Sequence, residues 1–282
     1  MTVGWNRGSY AILHNMFDKH LADWGLTADG DPIATPRSRL LPVRRAGVPA
    51  MLKVAVEAEE KSGSLLMAWW DGQGAAKVLA RKADAILLER AKGDISLAEL
   101  ARSGRDDDAT SIICNVVAML HAPKAKPLPA LLPLSKRFEE LEPAAAIHGG
   151  ILSRSAETAR ALLASPQEAS VLHGDIHHDN ILDFGERGWL AIDPKGLFGE
   201  RGFDYANLFC NPDPTDHTRP VATSRFERRL EIVSDMARLE RRRLLQWILA
   251  WAGLSAVWYI ADGQSPENQF HIAKLAAGQL DV

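Results

Sequence analysis

The sequence has few cysteines, no excess of basic residues and no leader-like start. Only two of its 282 residues, Cys114 and Cys210, are cysteines, too few for a disulfide framework or a cysteine-rich zinc site. Its 33 lysines and arginines are outnumbered by 36 aspartates and glutamates, giving a net charge of −3. Binding to nucleic acid through bulk charge needs a basic domain instead, so we expect no nucleic-acid partner.

The first seven residues lack the basic and apolar regions of a signal peptide, which favours a cytoplasmic protein. Residues 244–261 form an uncharged run of 18 residues, a borderline length for a membrane span. The run contains Gln246 and Ser255, and Trp251 lies at its middle rather than at an interface. We therefore predict a buried helix of a folded lobe and no membrane partner.

The order of patterns along the chain predicts an α+β protein with two lobes. Apolar residues make up 46% and charged residues 24% of the sequence, as in ordinary globular domains. Residues 39–44 and 50–56 flank Gly47 and predict a hairpin, whereas most of the chain beyond residue 90 has helical patterns. We expect a β-rich N-terminal lobe over 1–90, which includes an N-terminal helix, and a larger helical lobe over 91–282.

The segment with the strongest chemical pattern reads His-Gly-Asp-Ile-His-His-Asp-Asn at residues 173–180. Two apolar runs follow it around a four-residue turn flanked by glycines, which predicts a hairpin. If Phe184 pairs with Trp189, Asn180 lies directly opposite Asp193. An amide oxygen and a carboxylate at this distance are suitable ligands for Mg²⁺, so we predict that this pair holds the metal.

Two spacings in this region match those of kinase catalytic segments. Asp175 precedes Asn180 by five residues, as in the H-R-D-x-x-x-x-N loop of protein kinases. The interval of 13 residues from Asn180 to Asp193 also agrees with that pattern. These spacings predict Asp175 as the catalytic base that accepts the proton of an attacking hydroxyl, with Asn180 and Asp193 as metal ligands.

The same residues resemble a known family. The segment 173–180 is similar to the H-G-D-x-x-x-x-N signature of the aminoglycoside phosphotransferase superfamily. With Ala-Ile-Asp-Pro-Lys-Gly-Leu at 191–197 and Gly-Glu-Arg-Gly-Phe-Asp-Tyr-Ala at 199–206, the chain resembles the aminoglycoside 6-phosphotransferase and hydroxyurea phosphotransferase branch, which includes streptomycin kinases. The similarity extends over residues 40–263.

This resemblance implies a protein-kinase-like bilobal fold, ATP and Mg²⁺, and transfer of the γ-phosphate to a hydroxyl of a small molecule. A streptomycin-type aminoglycoside or hydroxyurea is the expected acceptor. The resemblance also implies that Asp204 braces the catalytic loop and that an adenine-binding hinge lies at residues 88–91, where Glu89 and Ala91 offer backbone groups to the base. We expect His173 to brace the same loop through hydrogen bonds.

Lys53 is the expected nucleotide-binding lysine. It lies in an apolar strand, where an unpaired charge is costly to bury, so it needs an anion such as the α- or β-phosphate or a carboxylate of the following helix. Glu57, Glu59 and Glu60 compete as partners, and we favour Glu60. The chain has no G-x-G-x-x-G loop, which leaves the cover of the phosphates unexplained.

Two departures from protein kinases predict a site without an activation switch. Gly174 replaces the arginine of H-R-D, which anchors a phosphorylated activation loop, and Asp193-Pro194-Lys195 replaces D-F-G, whose phenylalanine is mobile. We therefore expect a constitutively assembled site. An acidic acceptor pocket could draw its walls from the helical lobe, with Glu200, Asp235 and Asp262 as candidates.

Other readings of the same residues stay open. The histidines and aspartates of 173–179 could form a metallohydrolase cluster, although their spacing does not fit a helical H-E-x-x-H zinc pair. Asp175 and Asn180 could be turn residues that cap their own backbone. At the level of function, the alternatives are a kinase of an endogenous sugar or amino alcohol, and a non-catalytic nucleotide-binding protein of the same fold.

Overall fold

The computed structural model describes residues 7–56, 58–213 and 221–282, with the side chains of all these residues except 7–15 and 58–61. The chain begins with helix α1 (Arg7–Trp24), which ends at Gly25 in a left-handed conformation. Six strands follow, interrupted by helix α2 (Ala58–Trp70): β1 (Leu26–Ala28), β2 (Ile33–Ala34), β3 (Ser38–Arg45), β4 (Val48–Ala55), β5 (Val78–Lys82) and β6 (Ala85–Glu89).

These strands form one antiparallel sheet in the order β1-β3-β4-β6-β5, with β2 paired to the far part of β3. The predicted hairpin is confirmed as β3 and β4, which turn at Gly47. Leu52 and Val54 of β4 pack with Phe17 of α1 on one face of the sheet. Since successive strand residues alternate between faces, Lys53 lies on the opposite face, next to α2.

Beyond residue 90 the fold is mostly helical, as predicted. The helices are α3 (Leu97–Arg102), α4 (Asp106–His121), α5 (Leu141–His148), α6 (Ile151–Ala164), α7 (Phe203–Ala206), α8 (Thr223–Ala237), α9 (Arg241–Ala261) and α10 (Glu267–Leu280). Short strands among them are β7 (Leu132–Pro133), β8 (Ala169–Leu172), β9 (Ile181–Asp183), β10 (Trp189–Ala191) and β11 (Leu197–Glu200). A capping box opens α3, where Ser96 Oγ accepts a hydrogen bond from the N–H of Glu99.

Helix α9 contains the uncharged run and is buried, as the sequence predicts. It is long and apolar enough to cross a membrane, but 72% of its most apolar window is buried inside the protein. Trp247 and Trp251 of α9 pack around Phe203 of α7 with ring centroids 5.8 and 5.1 Å apart. The helix is therefore the centre of the C-terminal core.

The larger core crosses the predicted lobe boundary. It joins Leu66 and Trp70 of α2 and Ile86 of β6 to the C-terminal helices, whereas the other face of the sheet has a smaller core with α1. The mixed α+β architecture is thus present as expected, and the division near residue 90 stays a prediction.

The hairpin after the catalytic segment has a different register from the predicted one. Trp189 pairs with Asp183 and Ala191 with Ile181, so Asn180 lies opposite Ile192, whose N–H donates to the Asn180 carbonyl at 2.9 Å. The prediction that Asn180 directly faces Asp193 is therefore wrong by one residue. The physical reason is the turn, where the N–H of Phe184 donates to the carbonyl of Gly188, so that Phe184 lies opposite Gly188 rather than Trp189.

Both cysteines lie in the C-terminal core. Cys114 of α4 and Cys210 are buried free thiols, and burial raises the pKa of each thiol to about 12. They carry no thiolate at neutral pH and so lack the reactive form of cysteine.

Candidate functional site

The catalytic segment begins where β8 ends and lines an open cleft of about 530 Å³. The walls of this cleft come from the turn before β3, the segment 173–180, the segment 193–195 and two residues of the helical region. The lining residues are Thr35, Pro36, Arg37, Ser38, Arg137, Asp175, His177, Asn180, Asp193, Lys195 and Trp258. Asp175, Asn180 and Asp193, which the sequence places in one site, thus share one cavity.

The Asp204 carboxylate fixes the backbone of the segment 173–180 through hydrogen bonds. It is buried, and its carboxylate accepts hydrogen bonds from the N–H groups of His173 (2.9 Å) and Gly174 (2.7 Å). The His121 ring lies 2.8 Å from the same carboxylate. A buried charge is costly unless it is paired or hydrogen-bonded, and these contacts satisfy Asp204 while they fix the loop.

His173 connects the segment 173–180 to the backbone just before Asp193. Its Nδ1 accepts a hydrogen bond from the Asp175 N–H at 3.2 Å, so Nε2 carries the proton and donates to the Ile192 carbonyl at 2.7 Å. Burial lowers the pKa of His173, in keeping with a neutral ring. The residue before Asp193 is thereby tied to the backbone of Asp175.

Both oxygens of the Asp175 carboxylate have neighbours that favour its ionised form. Asn207 Nδ2 donates to Oδ1 at 3.2 Å, and Lys195 Nζ lies 3.7 Å from Oδ2. Burial by itself raises the pKa of Asp175, but the charges of His177 and Lys195 lower it below its ordinary value. The side chain is 26% exposed and opens to the cleft, so a hydroxyl group can reach it.

Asn180 and Asp193 offer oxygens toward the same space. Asn180 Nδ2 donates to the Asp175 carbonyl at 2.8 Å, which directs Oδ1 away from that bond. Asp193 has a left-handed backbone with φ of 59°, and its Oδ1 accepts a hydrogen bond from Lys53 Nζ at 2.8 Å. An amide oxygen and a carboxylate are ligands that suit Mg²⁺, so these residues fit a divalent ion that also binds phosphates.

Lys53 is 6% exposed and is paired with Asp193 across 140 residues. It reaches Asp193 from the sheet, so the strand lysine and the segment 193–195 meet in one place. The predicted partner Glu60 has a side chain outside the described residues, and that pairing stays a prediction.

The predicted hinge lies between β6 and α3. The Glu89 carboxylate accepts a hydrogen bond from the Lys77 N–H at 2.5 Å and pairs with Arg187, so it links β5 to the β9–β10 turn. After the hinge, the N–H groups of Lys92 and Gly93 donate to the Asp183 carbonyl. In the described part of the chain, Ala91 makes no backbone–backbone hydrogen bond, which leaves its backbone groups for a ligand.

A turn without glycine lies over the cleft where kinases have a glycine-rich loop. The Thr35 N–H donates to the Ser38 carbonyl at 3.0 Å, and the Ser38 N–H donates to Thr35 Oγ1 at 3.0 Å. This tight turn puts Arg37 and Ser38 on the cleft wall. This cover could not be predicted, because the expected signal for it was a glycine pattern and the turn has none.

Sequence reasoning also missed four residues that line or support the cleft. Arg137 stacks on Trp258, with its guanidinium carbon 4.4 Å from the ring centroid. Lys195 belongs to the motif at 191–197, but the motif does not indicate that the residue lies next to Asp175. Asn207 follows Asp204 by three residues, a spacing that places both on one helix face; this spacing was the one signal in the sequence for a place near the site.

Behind the catalytic segment is a buried ion pair. Arg229 of α8 is 1% exposed and makes two hydrogen bonds to Asp106 of α4, at 2.8 and 2.6 Å. Its Nη2 also lies 3.4 Å from His178 Nε2. Burial, together with the charge of Arg229, lowers the pKa of His178 to about 2, so His178 is neutral.

Two of the residues expected to line the acceptor pocket, Glu200 and Asp235, do not line the cleft of Asp175. Glu200 is 3% exposed and bound by Arg243 and Trp247 at 2.6–2.8 Å, which makes it a core residue. Asp235 borders a different cleft together with Arg228 and Arg241. Among the described residues, no group of three or more His, Cys, Asp or Glu side chains is placed to hold a metal, so the metallohydrolase reading finds no ligand set.

Comparison with solved structures defines the class of fold. The chain superposes on aminoglycoside phosphotransferase APH(4)-Ia with a TM-score of 0.64 at 14% identity, covering 96% of this chain and 97% of that one. It also superposes on a choline/ethanolamine kinase family protein from Mesorhizobium loti with a TM-score of 0.62 at 14% identity, covering 97% and 93% of the two chains. The fold is that of the protein-kinase-like small-molecule kinases.

Sequence comparison then gives the family. The model for the aminoglycoside/hydroxyurea antibiotic resistance kinases matches residues 23–263. The chain is 54% identical to a streptomycin 3''-kinase from Klebsiella pneumoniae over 242 residues, which are 85% of this chain and 91% of the relative. It is 29% identical to a streptomycin 6-kinase from Streptomyces griseus, over 92% and 85% of the two chains. The chain belongs to the aminoglycoside/hydroxyurea antibiotic resistance kinase family and is a small-molecule kinase.

Proposed function

We propose that this protein transfers the γ-phosphate of ATP to a hydroxyl group of streptomycin. The observation that carries this proposal is the convergence of Asp175, Asn180 and Asp193 in one open cleft, next to Lys53. The 54% identity to a streptomycin 3''-kinase over most of both chains supports this acceptor and favours its 3''-hydroxyl.

Asp175 has the geometry of the group that orients and deprotonates the attacking hydroxyl. Its carboxylate is ionised, is open to the cleft and is held by Asn207 on the side away from the substrate. A general base must come within about 2.6–3.2 Å of the proton that it removes, and no described side chain closes the approach. We assign the proton transfer to this residue.

Asn180 Oδ1 and the Asp193 carboxylate would hold Mg²⁺, which neutralises charge on the phosphates during transfer. Lys53 positions the Asp193 carboxylate and would reach the α- or β-phosphate from the sheet side. The 35–38 turn, which lines the cleft, would cover the triphosphate, and Arg37 would supply positive charge there. The backbone at residues 89–91, where Ala91 makes no backbone–backbone hydrogen bond within the described residues, would bind adenine.

Two further assignments accompany this function. The lobe over 1–90 would bind the nucleotide and the lobe over 91–282 would bind the acceptor, with the cleft between them. The kinase would act in the cytoplasm, where ATP and Mg²⁺ are abundant, and the burial of α9 inside the protein agrees with this location.

The test is a phosphotransfer assay with Mg-ATP and a panel of acceptors. The panel contains streptomycin, hydroxyurea, hygromycin B, choline and ethanolamine, and ³¹P NMR identifies the phosphorylated position. We expect transfer to streptomycin with the 3''-phosphate as product. Hydroxyurea is the second candidate, because the family description and a relative 28% identical, a hydroxyurea phosphotransferase from Kitasatospora aureofaciens, both name it.

A matched pair of variants connects the activity to the cleft. Asp175→Asn keeps the shape of the side chain but removes the base, and we expect kcat to fall by about 100-fold or more. Asp179→Asn changes an aspartate of the same segment whose side chain is 68% exposed, and it should leave kcat unchanged. Absence of transfer to every acceptor by the wild type, or equal loss in both variants, would contradict the proposal.

A further inference from the structure

Lys195 is a buried cation on the wall of the cleft, and the function proposed above gives it no role. The residue is 5% exposed, and its Nζ lies 3.7 Å from Asp175 Oδ2. The two charges attract each other, and the cleft wall that Lys195 shares with Asp175 and Asp193 is where substrate groups must enter.

The backbone of Lys195 is fixed from several sides. Its N–H donates to the His173 carbonyl at 2.7 Å. Gly174 has φ of 85°, and a Cβ there would lie 3.1 Å from Lys195 Cβ and 2.8 Å from Leu197 Cδ1. Glycine at the centre of the catalytic motif therefore provides the space in which the Lys195 side chain passes the catalytic segment.

We propose that Lys195 is a catalytic residue that donates hydrogen bonds to the transferred phosphoryl group. The inference rests on the proposed phosphotransferase function and adds a residue to it. Because the attacking hydroxyl must come within about 3 Å of Asp175, a hydroxyl that hydrogen-bonds to Oδ2 would lie within about 7 Å of Lys195 Nζ, which is 3.7 Å from that oxygen. A phosphoryl group in line with that hydroxyl, on the cleft wall that Lys195 shares, would be placed to accept hydrogen bonds from the ammonium on its equatorial oxygens.

Several cations border the cleft, and Lys195 is the one placed 3.7 Å from the Asp175 carboxylate. Arg37, by contrast, lies on the 35–38 turn, and Arg137 stacks on Trp258. Lys53 donates to Asp193 at 2.8 Å from the sheet side. Residues 176–179 contain no lysine or arginine. The lysine beside Asp175 is instead Lys195, two residues after Asp193.

The step balances without an additional reactant. The oxygen of the acceptor hydroxyl forms a bond to the γ-phosphorus, and the bond between that phosphorus and the bridging oxygen of ADP breaks. The hydroxyl proton moves to Asp175, and ADP leaves with the electron pair of the broken bond. Lys195 takes no part in the proton transfer and stabilises charge on the equatorial oxygens, which is an electrostatic contribution to the transition state.

The experiment separates binding from catalysis with the variants Lys195→Met and Lys195→Arg. We measure kcat, the KM for ATP, and the affinities for Mg-ADP and for Mg-ADP with aluminium fluoride, an analogue of the transferring phosphoryl group. Loss of one donor to a transition state typically lowers kcat by about 100-fold. For Lys195→Met we expect that loss, a KM for ATP within threefold of wild type, and at least tenfold weaker binding of the aluminium fluoride complex at unchanged ADP affinity.

Lys82→Met is the matched control, because Lys82 is a surface lysine paired with Asp23, and it should match the wild type in every measurement. Lys195→Arg keeps the charge and should be at least tenfold faster than Lys195→Met. A kcat equal to that of the wild type in Lys195→Met, or an undiminished affinity of this variant for the aluminium fluoride complex, would overturn the role of Lys195. The proposed function is tested separately, by the activity of the wild type. If Lys195→Met does not fold, Lys195→Gln replaces it. An affinity of Lys195→Gln for the aluminium fluoride complex equal to that of the wild type would then overturn the role of Lys195.

Discussion

The orientation of the Asp175 carboxylate depends on an amide outside the catalytic motif. Asn207 Oδ1 accepts hydrogen bonds from Trp251 Nε1 at 3.1 Å and from Asn211 Nδ2 at 2.8 Å. Because both partners are donors, the oxygen of Asn207 must face them, and its Nδ2 faces Asp175. A buried network in which every member is satisfied holds a single arrangement.

We therefore predict that Asn207→Asp impairs the chemical step. The new carboxylate can still accept from Trp251 and Asn211, but it removes the donor to Asp175 and adds a like charge beside it. We expect kcat to fall by about 100-fold, with the KM for ATP unchanged and a similar melting temperature. Asn115→Ala, an exposed asparagine on α4, serves as control, and a normal kcat in Asn207→Asp would show that the hydrogen bond to Asp175 has no catalytic role.

At the residue scale, the sequence predicts those groups whose spacing is set by local backbone. Asp175, Asn180 and Asp193 lie within 19 residues of chain, and the structure brings them to one cleft as the spacing predicts. Asn207, Arg137 and Trp258 reach the cleft only through packing of distant helices. Such contacts leave no regular spacing in one sequence, so they could not be predicted.

At the scale of elements, helix α2 and the segment 193–196 lie unusually close together. A Cβ on Gly63 of α2 would overlap the carbonyl oxygen of Pro194, and a Cβ on Gly196 would lie 3.1 Å from Ser62. The helix and the segment thus touch backbone to backbone. This packing supports the expectation of a site that needs no activation switch.

We predict that Gly63→Ala destabilises the protein and lowers activity. Its methyl group has no space unless α2 or the segment at Asp193 moves, and overpacking of this kind costs about 1–3 kcal/mol. Chemical denaturation and kcat provide the two measurements. Gly278→Ala on α10, where a Cβ would meet nothing within 4 Å, is the control and should stabilise the protein by up to about 1 kcal/mol; equal stability of both variants would contradict close packing at Gly63.

The pairing of α4 with α8 depends on the Asp106–Arg229 ion pair. We predict that Asp106→Asn lowers the free energy of unfolding by about 3 kcal/mol, because it leaves the Arg229 guanidinium buried without its counter-charge. The neighbouring Asp107→Asn removes an exposed pair with Arg228 and should cost less than about 1 kcal/mol. Urea denaturation of the two variants measures the difference, and similar values would refute a special role for the buried pair.

Acid sensitivity follows from the same pair. Although burial by itself raises the pKa of Asp106, its hydrogen bonds with Arg229 and the charges of Arg229 and Arg225 lower it below the ordinary value of 3.8. Since the folded state then binds fewer protons, this contribution to stability is present above pH 3.8 and is lost as the pH falls below it. Asp106→Asn should lack this part of the acid-induced loss.

At the scale of the whole molecule, α9 lies in the middle of the main core. Leu249 of this helix is fully buried, and we predict that Leu249→Ala lowers the free energy of unfolding by about 2–5 kcal/mol. Ile147→Ala removes a side chain that is 78% exposed and should change stability by less than about 0.5 kcal/mol. Denaturation followed by tryptophan fluorescence measures both, and a small effect of Leu249→Ala would mean that α9 is not central to the core.

The overall architecture is more predictable from sequence than its details. Hydrophobic periodicity indicates the β-rich start, the helical remainder and the burial of α9, because each element must hide one face. The register of the β9–β10 hairpin fails by one residue, since it depends on turn geometry at Gly185 and Gly188. The cover formed by the 35–38 turn could not be predicted, because an ordinary tight turn has no distinctive sequence.

The two inert thiols have a practical consequence. Because Cys114 and Cys210 are buried and protonated, they should not react with maleimide reagents in the folded protein. A single cysteine introduced at an exposed position of the 35–38 turn or of α10 could then carry a fluorophore without removal of the native residues. Pairs of such dyes would report how far the sheet and the helices move relative to each other when nucleotide binds.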